Sequence, residues 1–157
     1  MDKIGSITHP STAEVANATG NELYRAGNVE GAISAYTEAL REAAAIALGR
    51  NCDGQDCLKS RSKYYANRAQ ARMQLKDFEE AAQDCRASVA EDPTNAKALT
   101  RWALCEEVMG RWDKALEHFE RASLLLQPGT ALHGTCLQGT RRARANRDND
   151  RKARGKG

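Results

Sequence analysis

The chain has 157 residues, of which 41% are hydrophobic and only 5% aromatic, so it is long enough for one domain with a core of Ala, Leu and other small residues. No run of about 18 apolar residues could cross a bilayer, and the N-terminus lacks the residue order of a secretory signal. The net charge of +3 is uneven, because residues 141–157 carry eight Arg and Lys against two Asp. We therefore expect an unexported, cytoplasmic chain with a mildly acidic body and a basic tail, the nucleus being the alternative location.

The first pair of helices follows a flexible leader predicted over residues 1–10. Ser11 is followed three residues later by Glu14, a spacing typical of a capping box at a helix N-terminus. The sequence predicts a helix from there to about residue 26, a break at Gly27-Asn28 and a second helix from about Val29. These two helices form the first predicted hairpin.

Two further helix-turn-helix hairpins follow. The second is predicted over residues 60–75 and 77–90, and Asp92-Pro93 ends it because a residue before proline disfavours the helical conformation. The third is predicted over residues 95–109 and 111–126. Each hairpin thus ends where a helix has to stop.

A fixed stride of 34 residues relates the second and third hairpins. It separates two pairs of small residues, which are Ala69 and Ala103, and Ala81 and Ala115. Gly20 precedes its counterpart Ala69 by 49 residues, so the first interval contains an insertion, placed at about residues 41–61. Residues 42–48 are predicted to prolong a helix and residues 49–56 to form a loop.

The C-terminal part is predicted to change from a helix to disorder. Leu132, Cys136 and Leu137 provide one apolar edge for a capping helix at about residues 131–145, which would complete a folded domain over residues 11–145. Residues 146–157 have too little apolar surface to offset the entropy of ordering and are predicted to be a disordered basic tail.

The cysteines are predicted to be reduced thiols rather than ligands of a metal centre. Their number is odd, which disfavours a disulfide framework. Cys52 and Cys57 have no second ligand pair, and the histidines are isolated (His9, His118 and His133), so we predict no metal and free thiols in this loop. Cys85 and Cys105 are predicted to be small core side chains.

No constellation of catalytic residues is evident. The sequence shows no nucleophile beside a base, no phosphate-binding glycine loop and no carboxylates on facing elements. Glu79-Glu80 and Glu106-Glu107 are neighbours on helix surfaces. We therefore predict that the chain is not an enzyme and needs no cofactor.

The hairpins resemble tetratricopeptide repeats, whose period is about 34 residues. The matching positions include Gly20, Tyr24, Gly27, Ala32, Tyr36, Tyr65, Ala69, Phe78, Ala81, Pro93, Leu99, Ala103, Trp112, Ala115 and Phe119. The resemblance implies an all-α fold of three helix-turn-helix repeats in a right-handed superhelix plus a C-terminal capping helix. Its small residues belong where the two helices of a hairpin cross. Arg72 and Glu106 stand where an aromatic residue is usual, which we expect to weaken local packing.

Within this family, the chain resembles the subclass of co-chaperone adaptors, which hold a partner's C-terminal carboxylate in a carboxylate clamp. The positions that match the clamp are Asn17, Asn21, Asn67, Lys97 and Arg101. Four carry the family's residue type, whereas Asn17 replaces a lysine. Arg25 and Lys63 are the neighbouring cations that could compensate for this missing charge.

Carboxylates only accept hydrogen bonds, so a clamp has to supply amide and cationic donors. Lys97 and Arg101 are four residues apart and project from one helical face. Three or four charge-assisted bonds, each contributing about 1.5 to 3 kcal/mol, predict a micromolar dissociation constant. Tyr24, Met73 and Leu104 are expected either to line the same groove or to be packed between repeats.

The sequence thus predicts a monomeric, non-catalytic adaptor that binds the acidic C-terminal peptide of a cytosolic heat-shock chaperone. One alternative is a scaffold that receives an unrelated internal segment or helix of an assembly partner. The other is a nucleic-acid or ribosome-associated factor that binds through the basic tail, although the tail has no aromatic residues to stack on bases. No membrane interaction is predicted.

Overall fold

The computed structural model describes residues 10–50 and 54–155, and all regular elements in these ranges are helices. Their bounds are α1 Thr12–Arg25, α2 Val29–Arg50, α3 Gln55–Gln74, α4 Phe78–Glu91, α5 Ala96–Val108, α6 Trp112–Leu125 and α7 Ala131–Arg154. Each helix packs against the next in chain order, which produces a stack of three hairpins closed by α7. The predicted fold class is confirmed.

The ends of the helices have the local chemistry that the sequence predicts. Ser11 caps α1: its Oγ accepts from the backbone N–H of Glu14 at 3.2 Å, and its own N–H donates to Glu14 Oε2 at 2.7 Å. The turns inside the three hairpins contain a residue with positive φ, at Gly27 (82°), Lys76 (66°) and Gly110 (71°). The second hairpin therefore makes the same left-handed turn without glycine.

Small residues let the paired helices approach closely. Ala69, Ala81, Ala103 and Ala115 are completely buried. A methyl group added to Gly20 would lie 2.5 Å from a ring carbon of Tyr36, closer than carbon atoms can pack. Tyr36 of α2 thus fills the space that Gly20 leaves open in α1.

The insertion between the first two repeats lengthens two helices. α2 continues to Arg50, as residues 42–48 predict, but α3 already begins at Gln55 rather than near residue 60. Its first turn contains Asp56, which favours a helix N-terminus, and Gly54 accepts from the N–H of Cys57 at 2.9 Å. The predicted loop at 49–56 is therefore shorter than expected, and its residues 51–53 lie outside the described ranges.

The basic C-terminal stretch continues α7 where the sequence predicts disorder from residue 146. This part of α7 contacts α6, because Arg147 and Arg151 lie 3.7 Å and 3.4 Å from Asp113. Trp112 Nε1 donates to Asp150 Oδ2 at 2.7 Å. These contacts between α7 and α6 are polar, as expected for a stretch with little apolar surface. Residues 1–9, predicted as a leader, and residues 156–157 are not described.

The unusual charged residues inside the repeats are paired. Asp84 is buried and accepts from Arg68 Nε at 2.9 Å, Arg68 Nη2 at 2.7 Å and Arg72 Nη1 at 2.9 Å. Glu106, also buried, accepts from Trp102 Nε1 at 3.1 Å. At the positions of Arg72 and Glu106, specific polar contacts thus replace the aromatic packing that is usual in the family.

Within the described ranges, Cys85, Cys105 and Cys136 are free and buried. The core positions predicted for Cys85 and Cys105 are confirmed, and burial raises the pKa of the Cys105 thiol to about 12. The prediction of a free thiol is wrong for Cys57, which is disulfide-bonded. Cys52 lies outside the described residues, as does His9. No helix within the described ranges is both long and apolar enough to span a membrane.

Candidate peptide-binding groove

The first helices of the three hairpins, α1, α3 and α5, line a groove of about 660 Å³. The residues around it are Asn21, Tyr24, Arg25, Tyr36, Lys59, Lys63, Ala66, Asn67, Gln70, Asp92, Asn95, Lys97 and Arg101. Six of the seven residues predicted to bind a peptide are therefore brought together, although the helices that carry them are far apart in sequence. Asn17 is the seventh and does not line the groove.

The groove is strongly cationic. Five basic side chains line it, against a single carboxylate at Asp92. That carboxylate accepts from the backbone N–H of Thr94 at 3.0 Å and from its hydroxyl at 2.6 Å. Among the residues that the structure describes, none of the five cations forms an ion pair, so their charge is available to an anionic ligand.

Arg101 is held in place by its neighbours on α3. Its Nε donates to Gln70 Oε1 at 2.9 Å, and its Nη1 donates to the carbonyl of Ala66 at 2.9 Å. Burial lowers the pKa of the guanidinium, but an arginine keeps its charge at neutral pH. No partner for Nη2 is present in the described part of the chain, so a preoriented cationic donor remains for a ligand.

Two amides on α1 and α3 form the opposite wall. Asn21 Oδ1 accepts from the hydroxyl of Tyr36 at 2.9 Å and from Asn67 Nδ2 at 3.4 Å. Both acceptor directions of this oxygen are thereby used, and the Asn21 Nδ2 group stays available as a donor. Tyr36 thus orients Asn21 with its Nδ2 group available as a hydrogen-bond donor.

The structure differs from the prediction at Asn17. This residue is only 8% exposed, and its Oδ1 accepts from Asn67 Nδ2 at 3.0 Å. The amide of Asn67, predicted as a donor to the ligand, is therefore engaged inside the protein. Asn17 therefore orients a groove residue and does not itself line the groove.

The apolar candidates separate into two groups. Tyr24 lines the groove, and its hydroxyl accepts from Gln70 Nε2 at 3.4 Å. Met73 and Leu104 are packed against the buried core and are not part of the groove lining. Of the two expectations for Met73 and Leu104, packing within the stack is the one that the structure shows.

Sequence reasoning missed several groove residues, foremost Lys59 and Gln70. Both could have been found from α3 itself, because Lys59, Lys63, Asn67 and Gln70 follow one another at spacings of four, four and three residues. Such spacings place side chains on one helical face. The predicted start of α3 near residue 60 leaves Lys59 outside the helix, whereas the helix in fact begins at Gln55.

Family models for the tetratricopeptide repeat match residues 17–96 and, overlapping with them, residues 72–134. The first match alone includes half of the chain. The chain belongs to the tetratricopeptide repeat family. These repeats form a non-catalytic scaffold for protein interactions. In the described residues, no group of three or more His, Cys, Asp or Glu side chains is placed to hold a metal ion.

Other tetratricopeptide repeat proteins resemble the chain over most of its length. "Translocon at the outer membrane of chloroplasts 64" from Pisum sativum is 30% identical over 78% of this chain, which spans 18% of that relative. The Arabidopsis OM64 tetratricopeptide repeat domain is 28% identical with a TM-score of 0.68, covering 85% of this chain and 94% of that one.

Several solved relatives contain a bound peptide. The second tetratricopeptide repeat domain of Spaghetti (RPAP3), bound to the HSP90 peptide SRMEEVD, is 27% identical with a TM-score of 0.61. The similarity covers 73% of this chain and 87% of that domain. The chain therefore shares the fold of this repeat domain, and it spans less than a fifth of the curated relative named above.

Proposed function

We propose that this chain is a co-chaperone-like adaptor whose groove binds the acidic C-terminal peptide of a cytosolic heat-shock chaperone. The observation that carries the proposal is the joint placement of Asn21, Lys97 and Arg101 around one groove whose cations have no ion-pair partner among the described residues. A C-terminal aspartate has two carboxylates and needs such donors. The related Spaghetti domain binds a peptide that ends in Glu-Glu-Val-Asp.

The geometry favours recognition of a chain terminus over recognition of an internal segment. At the position of a terminal carboxylate an internal segment offers only a neutral backbone amide, so the counter-charge to Arg101 would have to come from an acidic side chain. A terminal carboxylate supplies that charge at the point where Arg101 and Asn21 offer unengaged donors. An unrelated internal peptide remains the second candidate, and equal binding of an amidated peptide would favour it.

The basic C-terminal residues support a structural role better than a nucleic-acid-binding one. Four of their arginines, Arg142, Arg144, Arg147 and Arg151, pair with carboxylates of the stack. Arginines paired with carboxylates in this way are less available to phosphates. We therefore retain a peptide-binding, monomeric and cytoplasmic adaptor as the proposal.

Amidation of the ligand's terminus tests the proposal directly. We expect acetyl-Met-Glu-Glu-Val-Asp to bind with a dissociation constant in the micromolar range by titration calorimetry. Its C-terminal amide should bind about ten-fold to a hundred-fold more weakly, because one charge-assisted contact is lost. Equal affinities for the two peptides, or no binding of either, would refute the proposed function.

Asn17→Lys is expected to strengthen binding of the free-carboxylate peptide by about ten-fold. The longer side chain can bring its ammonium to the groove while its stem stays buried. It also releases Asn67 Nδ2, which now donates to Asn17. The measurement is the same titration, with Asn17→Met as the matched variant that releases Asn67 without adding charge. A gain of equal size for Asn17→Met would show that the added charge is unimportant.

A further inference from the structure

The groove extends along α3 beyond the residues that match the carboxylate clamp. Lys59, Lys63 and Asn67 follow one another at intervals of four residues and all line it. Lys59 and Lys63 are exposed. Neither forms an ion pair within the described residues. A row of two available ammonium groups therefore continues from the site proposed for the terminal carboxylate.

We propose that Lys59 and Lys63 form a second subsite, which binds carboxylate side chains upstream of the ligand's C-terminus. The inference rests on the proposed function and deepens it by naming what else the ligand has to carry. The occupant is an acidic peptide segment, because Asp92 is the only carboxylate among the described residues that line the groove, and it is bonded to Thr94.

The spacing along α3 indicates which ligand positions the subsite reaches. At a rise of about 1.5 Å per residue, Lys63 lies roughly 6 Å and Lys59 roughly 12 Å along the axis from Asn67. An extended peptide advances about 3.3 Å per residue. A ligand running along α3 with its terminus near Asn67 would therefore place its second to fourth residues before the last beside the two lysines.

The insertion between the first two repeats creates this subsite. Its extra residues lengthen α3 at its N-terminal end, so that the helix begins at Gln55. A helix beginning near residue 60, as the repeat pattern predicts, would leave Lys59 in a loop. The lengthened α3 instead holds Lys59 on the same face as Lys63 and Asn67, where its charge adds to theirs.

The test compares two peptides on two protein variants by titration calorimetry. The peptides are acetyl-Met-Glu-Glu-Val-Asp and acetyl-Met-Gln-Gln-Val-Asp, both with a free C-terminus. The variants are Lys59→Gln/Lys63→Gln and the control Lys114→Gln/Lys152→Gln, which removes the same charge from exposed positions outside the groove. We expect the wild type and the control to prefer the Glu-Glu peptide by about three-fold to ten-fold, as exposed ion pairs allow.

The ratio of the dissociation constants of the two peptides should fall to nearly one in Lys59→Gln/Lys63→Gln. In the wild type, the preference for the Glu-Glu peptide should weaken with added salt. An unchanged preference in this variant would overturn the second subsite. If amidating the Glu-Glu peptide still weakened its binding, the proposed function would stand while the subsite failed. If amidation had no effect but the preference depended on the two lysines, the subsite would stand and the terminal carboxylate site would fail.

Discussion

Arg101→Ala is expected to weaken binding of a peptide with a free C-terminal carboxylate by about ten-fold to a hundred-fold. A charge-assisted hydrogen bond contributes about 1.5 to 3 kcal/mol, and this change removes one together with its cation. Arg101 is already oriented by Gln70 and by the Ala66 carbonyl, so little side-chain entropy is lost on binding. The amidated peptide should lose much less affinity, since it lacks the carboxylate that Arg101 is proposed to contact.

Two controls separate the contact from the fold around it. Arg101→Lys keeps the charge but not the planar fork, so its affinity should lie between those of the wild type and Arg101→Ala. Thermal unfolding followed by circular dichroism checks that the helices remain intact. Arg101→Ala binding as tightly as the wild type would place the terminal carboxylate away from this residue.

Asp84→Ala is expected to lower the free energy of unfolding by about 3 to 5 kcal/mol. The side chain of Asp84 is 4% exposed, and those of its partners Arg68 and Arg72 are 15% and 23% exposed. Removing the carboxylate leaves two adjacent guanidinium groups largely desolvated and without their counter-charge. Urea unfolding monitored by helical circular dichroism measures the change in midpoint.

A matched surface variant defines the scale of this effect. Glu79→Ala removes a carboxylate that pairs with Arg111, but both side chains are about half exposed. Glu79→Ala should lower the free energy of unfolding by only about 0 to 1 kcal/mol. The combined variant Arg68→Met/Arg72→Phe/Asp84→Leu should recover most of the stability that Asp84→Ala loses, because apolar residues often replace a buried ion-pair network at no cost. A small loss in Asp84→Ala itself would show that solvent reaches the two arginines.

Local signals in the sequence predicted the hairpins well because each helix end depends on nearby residues. The capping box at Ser11 and the turn glycines Gly27 and Gly110 act within one helical turn, so a short stretch of sequence contains the whole interaction. The start of α3 and the length of α7 were not predicted. The extension of α7 beyond residue 145 makes contacts with a distant part of the chain, such as those of Arg147 and Arg151 with Asp113.

The candidate site also has one part that the sequence predicted and one part that it did not. The family resemblance identified Asn21, Lys97 and Arg101 from their positions in the repeats, and the structure brings them to one groove. The role of Asn17 could not be read from its type, since an asparagine can line a groove or support a neighbour. Its hydrogen bond to Asn67, 50 residues away in the chain, distinguishes the two.

The sequence by itself determined the repeat family, the number of hairpins and the residue types available for binding, because small residues at a 34-residue stride have few other uses. Only the tertiary structure decided which of those residues share a groove, which cations keep their charge available and which are paired. The reason is physical: the charge that a ligand meets depends on distances between helices, and those distances are set by packing across the whole stack rather than by any one segment.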